Sequence, residues 1–135
     1  MLQNEPTVEL TITPLGNSLA ETNRNLIQLN SWLQKRKKVL FREGIFEPEL
    51  KSGATHDEGS LSVDADEILI KLAPTLVLKL IDAIKNFVTL QNKKMIFEFK
   101  IEQKDENRTV TLKYNKDELQ NEKKVLTEIL NQLAK

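Results

Sequence analysis

The segment THDEGS, residues 55–60, holds the only histidine of the chain beside a hydroxyl and two carboxylates. Thr55 or Ser60, His56, and Asp57 or Glu58 have the residue types of a nucleophile, a base and an orienting acid. Catalysis by such a set needs fixed geometry, and neighbours along one irregular loop do not supply it without a supporting framework. A solvent-exposed histidine is the simpler reading, with His56, Asp57 and Glu58 available to a protein partner. One histidine and no cysteine exclude a two-histidine or thiolate metal site within one chain, and the acids show no calcium-loop spacing. The four glycines stand apart from one another, so no phosphate-cradling motif is present. Neither cofactor nor metal is expected.

The second candidate is KRKK, residues 35–38, with Arg42 shortly after. Clustered cations can neutralise phosphates, with Lys93 and Lys94 extending such a surface, or Lys35, Arg36, Lys37, Lys38 and Arg42 can meet an acidic protein partner. Cations also belong at a helix C-terminus, where they meet free carbonyls and the negative end of the macrodipole. The run closes an apolar helical stripe, which fits the second account. No aromatic residues interleave with it for base stacking, and an acidic stretch follows. The chain as a whole carries 20 basic and 20 acidic residues, so it has no net field to draw it onto nucleic acid or an anionic membrane. Trp32, beside this run, is either a core-edge residue or an exposed anchor for a partner.

The elements that must position these residues follow from periodicity. TVELTIT (7–13) alternates as a half-buried strand that Pro14 and Gly16 should end. From about Glu21 to Gln34, Leu26, Leu29 and Leu33 mark an amphipathic helix. VLFREGIF (39–46) reads as a short or bulged strand, and residues 47–63 as one long exposed loop. Asp64 and Glu67 have the spacing of a helix cap, predicting a helix through DADEILIKLA, with a second helix starting at Pro74 and running to about Leu90. MIFEFKI (95–101) and RTVTLKY (108–114) predict an antiparallel hairpin, and a last helix runs from Asp117.

These elements give a single α+β domain over residues 1–135, in the order β-α-β-α-α-β-β-α. The simplest burial of their stripes is a small, mostly antiparallel sheet of three or four strands with helices packed on one face. No apolar run approaches the roughly 20 residues of a membrane span, and the N-terminus lacks the basic and apolar regions of a secretion signal. A cytoplasmic protein is expected.

VELTIT, the pattern of Leu26, Leu29, Trp32 and Leu33, the loop EGSLSVDADEIL, and LIDAIKNFVTLQNKKMIFEFKIEQKDENRTVTLKY together resemble the effector-associated constant component family. The resemblance spans about Val8 to Leu130. It departs from the family's pattern at KLAPTL, which replaces a small-residue-rich join, and at Phe87, which stands where a tryptophan is usual. It implies a non-enzymatic adaptor of a bacterial conflict or defence system, linking a sensor or signalling ATPase to an effector such as a protease. A homo-oligomer is compatible with that role. The competing expectation, from the residues alone, is a small nucleic-acid-binding module built on Lys35–Lys38.

Overall fold

Alternating apolar residues commit this chain to strands that bury one face only. The computed structural model describes residues 7–40, 44–51, 67–91, 95–103 and 108–133. Its elements are β1 (Val8–Leu15), α1 (Leu19–Leu40), β2 (Phe46–Lys51), β3 (Glu67–Leu72), a 3-10 turn (Pro74–Leu76), α2 (Val77–Gln91), β4 (Ile96–Gln103), β5 (Arg108–Asn115), α3 (Lys116–Leu119) and α4 (Glu122–Leu133). The sheet has five antiparallel strands in the order β2-β3-β1-β4-β5. Two split β-α-β units interlock: β1-α1-β2 straddles β3, and β3-α2-β4 straddles β1. This is the ferredoxin-like plan, extended by β5 and the C-terminal helices.

Leu10 and Ile12 of β1, Ile68, Ile70 and Leu72 of β3, and Phe97, Phe99 and Ile101 of β4 point to one face and are buried. Against them pack Leu26, Leu29 and Leu33 of α1, the broad stripe Leu80, Ile81, Ile84, Phe87 and Val88 of α2, and Val125 and Ile129 of α4. One continuous core therefore joins every layer, and helices cover one face of the sheet, as expected.

The five strands exceed the three or four anticipated, and the extra strand replaces a predicted helix. EILIKL forms β3 instead of continuing the helix expected across DADEILIKLA. Its period of two puts Ile68, Ile70 and Leu72 on the core face, a burial that a helical period would break. The expected loop at 47–63 begins as strand β2, with Phe46 and Pro48 buried and Glu47 and Glu49 exposed. The strand expected at 39–46 is not formed as such: Val39 and Leu40 belong to α1, and β2 starts only at Phe46. Pro74 opens a 3-10 turn that leads into α2, in keeping with its lack of an amide hydrogen.

Pro14 does not end β1 but lies inside it, buried, opposite Phe97. The β1–β3 ladder runs only to Ile12 opposite Ile68, whereas the β1–β4 ladder reaches Leu15. Pro14 shares the face of Leu10 and Ile12, so its missing donor would have pointed towards β3, where the ladder has already stopped. Ser18 then starts α1, accepting from the Glu21 amide at 3.1 Å. Gly16 just before it is needed for close approach: a β-carbon there would lie 2.7 Å from Glu21 Cγ.

The last helix is broken into two. Asn115 and Glu118 cap α3 reciprocally, Asn115 Oδ1 accepting from the Glu118 amide at 2.8 Å and Glu118 Oε1 from the Asn115 amide at 3.1 Å. Asn121 then caps a second start, its Oδ1 accepting from the Lys124 amide at 3.4 Å.

Candidate functional site

The KRKK run lies within α1, which continues to Leu40 and so places these cations in its last two turns. Lys35, Lys37 and Lys38 are exposed, and Val39 beyond them is 71% exposed. Arg36 is different. Its guanidinium lies 3.2 Å from the centre of the Trp32 ring, and its Nη1 donates to the Trp32 carbonyl at 3.3 Å. Trp32 in turn donates from Nε1 to the Ala83 carbonyl of α2 at 3.1 Å and meets Phe87 edge to face at 5.7 Å. Trp32 is half-buried at the seam between α1 and α2, and Arg36 roofs it. On the far flank of α1, Gln34 donates to the Pro48 carbonyl of β2 at 2.9 Å. The basic turns are thus held at both sides, by α2 and by the sheet edge.

Of the candidate site residues, the structure brings Trp32, Lys35, Arg36, Lys37 and Lys38 together on one helix end. Arg42, His56, Asp57 and Glu58 lie outside the described residues, as do Lys93 and Lys94.

The face of the sheet opposite the helices is a charge-chequered surface. Glu47, Lys71 and Glu9 stand side by side on β2, β3 and β1; Lys51 stands beside Glu67; and Lys113, Glu98 and Thr13 form a row across β5, β4 and β1. Lys113 reaches Glu98 at 3.6 Å. Thr11 and Thr13 at the centre are almost covered. No aromatic residue of the described strands points outward here, so the face offers no platform on which bases could stack.

Two shallow hollows open on the surface. One is bounded by Tyr114, Asn115, Asp117, Glu118, Asn121 and Lys124, between β5 and the helices that follow. Four of the six lining residues are engaged in the fold: the caps hold Asn115, Glu118 and Asn121, and the Tyr114 hydroxyl donates to Glu128 Oε1 at 2.8 Å. Burial first, then this hydrogen bond and the charge of Glu128, hold the Tyr114 phenol far above its ordinary range. The other hollow, at the opposite end of the sheet, is bounded by Thr7, Val8, Glu9, Lys71, Glu102 and Leu133. Neither contains a nucleophile with a base poised against it. Among the described residues no cluster of acids, histidine or cysteine is arranged to hold a metal ion, and no helix is long and apolar enough to cross a membrane.

Comparison of the chain with family models, with curated proteins and with solved structures returns no match.

Proposed function

We propose that this chain is a non-enzymatic protein-interaction module that presents the C-terminal turns of α1 to an acidic surface of a protein partner. The observation that carries the reading is the rigid mounting of that helix end. Trp32, Gln34 and Arg36 are spent on the fold, while Lys35, Lys37, Lys38 and Val39 face outward around them. A rigid helix end with exposed charge around an apolar side chain loses little entropy on docking. The adaptor role, between a sensor or signalling ATPase and an effector in a bacterial defence system, rests on the sequence resemblance, and the cytoplasmic setting on the cysteine-free composition.

The same lysines would serve a nucleic-acid module, so the test separates the two. Affinity capture from host lysate is run with the wild-type chain and with a Lys35→Glu, Lys37→Glu, Lys38→Glu variant, each with and without nuclease. Arg36 is left intact because its removal would disturb Trp32. A protein that survives nuclease treatment and is lost in the variant supports the adaptor reading. Recovery of nucleic acid alone, lost in the variant and falling steeply with salt, replaces it with the nucleic-acid reading.

A further inference from the structure

The two edges of the sheet are built differently. On β2, the core-facing residues Phe46, Pro48 and Leu50 turn their peptide groups outward: Pro48 has no donor there, and its carbonyl is taken by Gln34. That edge is closed at its centre. On β5 the Asn115 amide bonds to Glu118 and so lies outside the β4 ladder, which fixes the phase of the whole strand. Peptide groups alternate sides along a strand, so those of Thr109, Thr111 and Lys113 also point away from β4. This edge spans eight residues without a proline, and the side chains of Thr109, Thr111 and Lys113 are exposed.

We propose that β5 pairs with β5 of a second copy of this chain, antiparallel and across a two-fold axis through Thr111. Only registers that keep both core faces on the same side are allowed. Centred on Thr111, the pairing sets Thr111 against itself and Thr109 against Lys113 of the partner subunit, with the outward donors and acceptors of these three residues matched. Val110, half-buried at the edge, then meets the equally half-buried Leu112 of the partner subunit. No like charges oppose each other, because Lys113 faces a threonine and is already balanced by Glu98. Centred on Leu112 instead, Thr109 would oppose Asn115, whose amide is spent on Glu118. This surface is separate from the end of α1, and the two readings stand or fall independently.

The test is the mass of the full-length chain in solution, measured by sedimentation across a wide concentration range. The wild type is expected at twice the chain mass. Thr111→Pro is expected at the single-chain mass with unchanged far-ultraviolet dichroism, since its lost amide lies outside the β4 ladder. Because the chain has no cysteine, Thr111→Cys adds one thiol at the axis, where opposed α-carbons are about 5.5 Å apart, within the α-carbon span of a disulfide. Thr109→Cys, facing Lys113, should not bridge. A wild type of single-chain mass at every concentration overturns the proposal. So does a dimer that persists in Thr111→Pro, or one in which Thr111→Cys fails to cross-link. Should Thr111→Pro not fold, the cysteine pair decides alone.

Discussion

Trp32 fixes the angle between the two long helices with a hydrogen bond, an edge-to-face ring contact and a stacked cation. Trp32→Phe keeps an aromatic ring but loses the indole donor and the second ring, and should cost about 1–2 kcal/mol in denaturant unfolding. Arg36→Ala should cost about 0.5–2 kcal/mol and shift the emission of the single tryptophan, while leaving partner capture by the lysines intact. Asn25 is fully buried on α1 and neither of its amide atoms meets a hydrogen-bonding group of the protein. An unpartnered buried amide is costly, so Asn25→Leu, close in size, should raise stability by about 1–2 kcal/mol in the same assay. Tyr114 gives an alkaline signature. Its neutral form is favoured in the folded state, so its contribution is complete below about pH 10, the ordinary phenol value, and is lost as pH rises towards the raised folded value. Lys85 acts in the same direction: its hydrogen bond to Glu122 at 2.6 Å, aided by the charges of Glu122 and Asp82, raises its pKa. Melting temperature should therefore fall above about pH 10, and less steeply in Tyr114→Phe than in the wild type. Equal slopes would mean that Tyr114 carries none of the effect.

At the scale of elements, the strands that announced themselves were those with both strict alternation and a polar turn between them, as in MIFEFKI and RTVTLKY. EILIKL is as regular, but it follows Asp64 at cap spacing, and six residues are too few for a period of two to outweigh a helix signal. What decides is its place between β1 and β2, a long-range fact invisible in local pattern. The length of α1 was hidden for a related reason: KRKK read as a stop, whereas cations are tolerated throughout the last turns of a helix. For the candidate site, the sequence shows where cations cluster but not that Arg36 leaves the cluster to cover Trp32. The spacing of four between Trp32 and Arg36 was the available signal, since residues so spaced share a helix face. The proline in β2 was equally legible and carries a prediction. Pro48→Val restores a donor on the one edge that is closed at its centre, so the variant should gain turbidity and bind an amyloid-sensitive dye while the wild type stays clear. An unchanged variant would show that Gln34 alone is enough to protect β2.

Over the whole molecule, the sheet is assembled from distant parts of the chain. Val8 lies opposite Leu72, and Thr11 opposite Lys100. Each end of β1 therefore waits for a different partner, and the closure of both loops must precede the contacts that reward it. A chain truncated after Gln91 retains β1, β2, β3 and both long helices but lacks β4, leaving one side of the central strand unpaired. It should be cut rapidly by protease under conditions where the full chain resists. Resistance in the truncated chain would show that the three strands and two helices are stable without β4.

The interlocked crossovers also have a consequence for how the protein is made. Within this domain the central strand β1 leaves the ribosome before any other strand, yet its second neighbour, β4, follows only after β2, β3 and both long helices. Until β4 emerges, Leu10 and Ile12 sit on a strand with at least one side open, in a domain that cannot yet close its core. Slow translation prolongs that vulnerable interval, and a holding chaperone that binds the N-terminal strand would shorten the exposure without touching the finished fold.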